Sequence, residues 1–337
     1  MSSRVAPVVI GAALFAAAVI LPTGALAQAP APAPAGSAVA PLTVQGTPPP
    51  EMMEEWAQSF VRSYAKPTAK LGQLARWGDP LCVQVLGLNP APAAMVAARV
   101  EDVARAVGLK VLPAGCTANI EIVFADQPQH LLDTVAAHSE QVLGYHYPVE
   151  TKGLKTVTRP VQAWYATATR GSGGPNVGMA FAMLTNAAGD GLPNDGLPGV
   201  TVDRETADTP DTRTPTGCGD SHFSSCLASV FRNVLVVVDA GRATGQDLGL
   251  LSDYLALVAL SQPRTLDGCA ALPSVVDIYA PAACPGRLAP DGLTQADAAY
   301  LTALYATDPE AKKMAQESDI TARMTKMLTA APNRAGR

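Results

Sequence analysis

The stretch from Asn233 to Gln262 constrains this chain more than any other. Val234-Leu235-Val236-Val237-Val238 is an unbroken aliphatic run closed by the turn Asp239-Ala240-Gly241-Arg242. A short run of β-branched residues without alternation reads as a strand covered on both faces. Asp247 to Gln262 then reads as a helix. Leu248, Leu250, Leu251, Tyr254, Leu255, Leu257, Val258 and Leu260 cover nearly its whole circumference. Such a helix leaves almost no face for water and must be buried on most sides, with Asp247 free to cap its start. A doubly covered strand leading straight into a buried helix calls for helices and sheet in packed layers, an α/β or α+β domain.

The rest of the chain supports that class. Pro50 to Tyr64 reads as a helix, with proline at its start and Met52, Trp56, Phe60 and Tyr64 on one stripe. Leu81 to Leu86 reads as a strand broken by Asn89-Pro90. Ala93 to Val107 is amphipathic, with Val96, Val100, Val103 and Val107 on one face and Gly108 after its end. Ala118 to Phe124 reads as a second strand and Pro128 to Val142 as a third helix. Val161 to Thr167 is a strand whose leading Pro160 and polar flanks suit a sheet edge. From 171 to 226 the chain is rich in glycine and proline turn chemistry, a long irregular loop. Thr294-x-x-Asp297 is a capping box opening a helix with Leu301, Leu304 and Tyr305 inward. A last helix is expected from Asp308-Pro309, before a basic tail at 331–337.

The N-terminus reads as an export signal: Arg4, an apolar run from Val5 to Leu21, and an Ala25-Leu26-Ala27 cleavage site, with cleavage expected after Ala27. Residues 28–50 are rich in proline and alanine and read as a linker, so 51–330 is expected to be a single domain. Periplasmic or extracellular residence follows, with no membrane span after signal cleavage. Export also gives meaning to six cysteines, Cys82, Cys116, Cys218, Cys226, Cys269 and Cys284. Disulfides are the expected use, and pairing of neighbours along the chain (82 with 116, 218 with 226, 269 with 284) encloses local units. No C-x-x-C spacing invites a metal. Net charge is −5 with no lysine or arginine cluster, which argues against nucleic acid as a partner. Aromatic residues make up 5%, too few for a stacking platform for bases or sugars.

The order buried strand, buried helix, Pro273-Ser274-Val275-Val276 turn, then Leu293-Thr294-x-x-Asp297-x-x-x-Leu301-x-x-Leu304-Tyr305 resembles the C-terminal half of the zincin metalloproteases, the metzincin branch most of all. The resemblance spans roughly Asn233 to Tyr305. It implies a zincin-like twisted mixed sheet with packed helices and a helical C-terminal lobe. In that family the helix carries His-Glu-x-x-His-x-x-Gly-x-x-His. Here the histidine positions hold Ser252, Ala256 and Gln262, the general-base position Asp253, and the glycine Ala259. Val276 stands at the methionine of the turn. Zinc needs about three imidazole, thiolate or carboxylate donors. Asp253 alone cannot supply them, so the resemblance implies a zincin-like fold without zinc and without any cofactor. In that family the edge strand lines the substrate cleft. That places Gln162, Trp164 and Tyr165 beside the expected binding groove, with an unknown peptide or protein as partner by strand addition.

Other patterns compete weakly. Ala136-Ala137-His138 and Gly219-Asp220-Ser221 resemble two motifs of trypsin-like proteases, and with Asp253 they carry the alternative of a hydrolase that works without zinc. Ser221 is followed by His222-Phe223 rather than the glycines of an oxyanion-hole turn. His130, His138 and His146 match no common ligand spacing. Asp190, Asn194 and Asp195 do not form a calcium loop. Asp239 to Gly245 lacks both phosphate-loop signatures.

Overall fold

A computed structural model describes residues 49–144, 153–171, 226–264, 271–279 and 289–330. Residues 1–48, with the expected signal segment and nearly all of the expected linker, and residues 145–152, 172–225, 265–270, 280–288 and 331–337 lie outside the described residues. Among the described residues four strands form one mixed sheet in the order β1-β2-β4-β3: β1 Val83–Leu86, β2 Ile120–Ala125, β3 Val161–Gly171 and β4 Leu227–Asp239. β1, β2 and β4 are parallel, while β3 runs antiparallel along the outer side of β4. The helices are α1 Pro50–Tyr64, α2 Pro90–Ala106, α3 Pro128–His138, α4 Ala240–Ala243, α5 Leu248–Leu260, α6 Gln295–Ala306 and α7 Lys313–Ala330.

The pleat of β4 sorts the core. Val234, Val236 and Val238 point into the larger cluster, which takes in α1, α2, α5, α6 and α7. Leu235 and Val237 point the other way, to Leu131, Leu132 and Val135 of α3 and to Trp164. Each of these valines is worth about 1.5–3 kcal/mol when fully covered. The apolar run is therefore apolar because both its faces are. The fold class is thus mixed α and β, with helices on both faces of a mixed sheet. The C-terminal helices α6 and α7 belong to the same core cluster as α1 and α5.

Several boundaries differ from the sequence reading. α2 starts at Pro90, not Ala93, because proline suits the first helical position and Asn89 takes the N-cap place. β4 begins at Leu227, seven residues ahead of the valine run in sequence order. Its first half carries Ser229, Arg232 and Asn233 and is strand because both sides are paired: β3 on one, the Gln73–Arg76 segment on the other. The Asp239–Arg242 turn winds into the short helix α4, capped by Asp239 Oδ1 on the Arg242 N–H at 3.1 Å. α3 stops at His138, and a 3-10 turn spans Glu140–Leu143. The last helix starts at Lys313 rather than at Asp308-Pro309. There Glu310 N–H bonds Asp308 Oδ1 at 2.9 Å, a local turn that competes with helix.

Two tight features hold the sheet to its helices. Gly87, just past β1, has φ +81, and a Cβ there would collide with the Phe124 carbonyl oxygen of β2. Only glycine meets both demands. Arg76 is buried and donates from Nη1 to the Leu304 and Thr307 carbonyls at 2.7 and 2.5 Å. It thereby satisfies the negative end of α6. Burial pulls its pKa below the ordinary arginine value, with the nearby Tyr305, Tyr300 and Asp308 pulling it back up.

Candidate functional site

The helix α5 carries three of the four residues that the resemblance placed at zinc positions, and the structure gives each a structural occupation. Asp247 caps the helix, its side chain accepting from Leu250 N–H at 2.9 Å. Ser252 is 0% exposed and donates its hydroxyl to the Leu248 carbonyl one turn back, at 2.6 Å. Ala256, one turn on and on the same face, is 0% exposed. Asp253 pairs with Arg99 Nε of α2 and accepts Leu293 N–H at 3.0 Å. Its side chain is 10% exposed against 43% for Arg99. Gln262 lies beyond the C-cap Ser261. Its carbonyl accepts Lys66 N–H at 3.1 Å, and its Oε1 meets no donor among the described residues.

These four positions therefore do not converge as a ligand set. Nor does any group of three or more His, Cys, Asp or Glu gather among the described residues. Asp253 joins α2, α5 and the approach to α6, a bolt between helices. Because Arg99 is half in water, Asp253→Ala is expected to lower unfolding stability by about 1–2 kcal/mol, read from the urea midpoint. A loss near zero would show that the junction carries no stability.

Beneath α5 the turn at Ser274 forms a buried polar network. Ser274 donates its hydroxyl to Asp297 Oδ1 at 2.6 Å, and Val275 N–H donates to Asp297 Oδ2 at 2.8 Å. The single Ser274 proton is thus committed, so the Tyr64 hydroxyl, 2.6 Å away, donates to Ser274 Oγ. Thr294 N–H reaches Asp297 Oδ2 at 3.1 Å, and the Thr294 hydroxyl accepts Asp297 N–H at 3.1 Å, the capping box expected from the sequence. Burial raises the Asp297 pKa, while Ser274, Val275 and Thr294 pull it down by bonding the carboxylate. Burial likewise raises Tyr64, with the Asp297 charge adding to it, which keeps the phenol protonated as a donor. The network joins α1, the turn and α6. The 3-10 segment Val275–Tyr279 packs against α5, with Tyr279 edge-on to Tyr254 at 5.2 Å between ring centroids. Val276 and Ala256 lie in the same core cluster.

Among the described residues β3 is the outermost strand of the sheet, the edge its flanks suggested. Its side chains are committed inward. Trp164 is 1% exposed and donates Nε1–H to the Leu154 carbonyl at 2.8 Å. Gln162 bridges to Thr156 and Thr158 at 3.0 Å each. Tyr165 donates its hydroxyl to the Val258 carbonyl of α5 at 2.9 Å, fastening the strand to that helix. The backbone is arranged differently. Asp239 N–H donates to Pro160 O at 2.8 Å, which sets the alternation of the β3–β4 ladder. Gln162, Trp164 and Ala166 therefore turn their N–H and C=O groups toward β4. Val161, Ala163 and Tyr165 turn theirs outward, where no described residue meets them. At the far end the register shifts, leaving Arg232 of β4 opposite no β3 residue, a bulge. Arg232 reaches Asp79 Oδ2 at 3.5 Å, while Arg170 holds Asp79 Oδ1 at 2.5 Å.

The competing patterns fare as follows. His138 Nδ1 lies 2.9 Å from the Thr134 carbonyl at the exposed end of α3. Ser221, His146, His222 and the Asp190–Asp195 cluster lie outside the described residues. Cys82 and Cys116 form a disulfide. Cys226 is also disulfide-bonded, and Cys218, Cys269 and Cys284 lie outside the described residues. Among the described residues no helix is long and apolar enough to cross a membrane. Sequence reasoning missed Arg76 and the outward parity of β3. A lone arginine ahead of a tryptophan carries no local signal, and parity depends on a partner strand far along the chain. Comparison with known protein families, curated proteins and solved structures gives no match for this chain.

Proposed function

We propose that this chain is an exported, non-catalytic protein on a zincin-like scaffold that binds an extended peptide or protein segment along β3. The observation that carries the reading is the outward row of backbone groups at Val161, Ala163 and Tyr165 on an antiparallel edge strand. Edge strands expose a template for a further strand, and proteins that do not use it tend to cover or charge it. The scaffold reading draws support from the run of β4 into α5, from the turn at Ser274 packed under α5, and from the Thr294–Asp297 box after it. The non-catalytic reading draws support from chemistry. Ser252 is spent on a backbone carbonyl, Ala256 has no donor atom and Asp253 is spent on Arg99. A zinc ion would find at most one good ligand there.

Two measurements test this. Metal analysis of the purified protein is expected to find far less than one zinc per chain, with the thermal midpoint unchanged by a chelator. Stoichiometric zinc lost on Ser252→Ala or Asp253→Ala would overturn the non-catalytic half. For the edge, Ala163→Pro removes an outward N–H without touching the β3–β4 ladder, where proline is tolerated. The variant is expected to stay folded, within about 1–2 kcal/mol of the parent, and to lose binding of extended peptides. Unchanged binding would place the partner elsewhere.

A further inference from the structure

We infer that the segment taken up along β3 is the β3 strand of a second copy of this chain, paired antiparallel about a twofold axis at Ala166; the inference rests on the strand-addition reading above. β3 is 11 residues long, about 36 Å of extended chain. The extra residue at its register shift is Arg232, on β4, so the alternation of β3 itself runs unbroken through the shift. Beyond that point Ser229 and Phe231 of β4 turn to the other side, where Ser229 O accepts Arg76 N–H at 3.4 Å and Phe231 N–H donates to Arg76 O at 3.0 Å. Their neighbours Ala228 and Val230 face β3, opposite Arg170 and Ala168. The even-numbered residues of β3 thus face β4 along the whole strand. The outward row is Val161, Ala163, Tyr165, Thr167, Thr169 and Gly171. None of the six is charged, and the strand contains no proline. Among the described residues nothing bonds the outward backbone groups. Charge, proline and cover are the devices that keep edges of this kind from pairing.

The strand is complementary to itself in this register. With the axis at Ala166, Val161 stands opposite Gly171 of the second copy, Ala163 opposite its Thr169 and Tyr165 opposite its Thr167. Between them Trp164 stands opposite Ala168 and Gln162 opposite Arg170. The two aromatic rings therefore meet small or β-branched neighbours, a favourable cross-strand combination for Tyr165 with Thr167. Arg170 is the one charged residue of the strand, and no like charge faces it. Ala166 meets its own copy in a pair without hydrogen bonds, where Cα atoms approach to about 4.5 Å and a small side chain fits. Each opposed outward pair exchanges two main-chain hydrogen bonds. The ladder therefore supplies about twelve, against about ten in an ordinary stable interface. Shifting the axis by one residue either way shortens the ladder by a pair, and at Tyr165 it sets that ring against itself. A twofold contact uses the same surface on both copies, so β3 needs no other partner strand.

The test is the mass of the purified chain in sedimentation equilibrium. At about 50 μM the parent is expected to weigh twice one chain, and Ala163→Pro, with its circular dichroism unchanged, to weigh one. A second variant reads the register. Ala166→Cys sets two thiols across the axis at a Cα separation that a disulfide spans, so it is expected to give a covalent dimer on a non-reducing gel. Ala168→Cys, which faces Trp164 of the second copy, is expected to give none. Covalent dimer from Ala168→Cys but not from Ala166→Cys would overturn the axis at Ala166. A dimer that survives Ala163→Pro would overturn the pairing through β3. The third arm is fluorescence anisotropy with a labelled ten-residue peptide rich in threonine and valine. A monomeric parent that binds this peptide, with binding lost on Ala163→Pro, would overturn the second copy as partner and leave strand addition standing. A monomer that binds no such peptide would overturn both.

Discussion

Replacing Asp297 by alanine is expected to lower the unfolding free energy by about 3–5 kcal/mol. Three donors lose their acceptor at once: the Ser274 hydroxyl, Val275 N–H and Thr294 N–H. Ser274 and Val275 are fully buried, so their donors do not recover their hydration. The loss then propagates. With its own proton no longer held by Asp297, Ser274 loses its fixed orientation as acceptor for the Tyr64 hydroxyl, and the Ser274 turn loses its tie to the start of α6. Asp297→Asn keeps the shape and one acceptor oxygen but sets an NH2 group among donors, so its loss is expected to be intermediate. The pH dependence has a definite sign. Burial raises the folded-state pKa of Asp297 above its ordinary value of 3.8. A raised folded pKa means that the native state holds the proton more tightly than the unfolded chain. The associated stability is fully present below 3.8 and is lost as pH rises through the raised value. Wild type should therefore lose stability relative to Asp297→Asn on going from acid toward neutral pH, in urea titrations run at both ends of that window. A difference that grows in the opposite direction would show that the hydrogen bonds to the carboxylate outweigh burial.

The second large effect is expected from the disulfide. Cys82 and Cys116 are 34 apart in sequence, with 6.0 Å between their Cα atoms. Closing a loop of that length in the unfolded chain is worth about 4 kcal/mol on the chain-entropy account. The loop it closes contains all of α2, which supplies Val96, Val100 and Val103 to the core and Arg99 to Asp253. The bond lies at a point already fixed by Asn119, whose Oδ1 accepts Cys82 N–H at 2.8 Å and whose Nδ2 donates to Pro80 O at 3.0 Å. The native geometry is thus held without the sulfurs, and the loss should appear as a freer unfolded state rather than a distorted fold. The Cys82→Ser, Cys116→Ser double variant is expected to keep its near-UV circular dichroism at low temperature while its urea midpoint falls. The double variant is preferable to a reductant, because Cys226 also sits in a disulfide. A loss under about 1 kcal/mol would show that the reduced chain keeps this loop closed by other contacts.

What was legible in the sequence was what short-range physics controls. The valine run and the leucine-rich helix announced a strand covered on both faces and a helix without a wet side. Thr294 and Asp297 stand three apart and satisfy each other, so their box needed no tertiary information. α1 runs from Pro50 to Tyr64 as expected, but its buried face is Met53, Ala57, Phe60, Val61 and Tyr64, and Met52 of the expected stripe is exposed. The polar first half of β4 was illegible for the opposite reason. Ser229, Arg232 and Asn233 carry no strand pattern, and the segment is a strand because β3 and the Gln73–Arg76 segment supply partners on its two sides.

The sequence by itself therefore determined which segments had to be buried, where the caps lay, and that α5 carries a single carboxylate, Asp253, where a zinc helix would need about three ligands. Only the tertiary structure decided where those residues point. Asp253 belongs to Arg99, 154 positions away in the chain, and Ser252 faces inward to the Leu248 carbonyl. The tertiary structure also decided the strand order and which backbone groups of β3 face outward. The physical reason is one of range. Caps and periodicity are settled within a turn or two of chain, whereas ladder parity and ion-pair choice depend on surfaces that meet only once the sheet has formed.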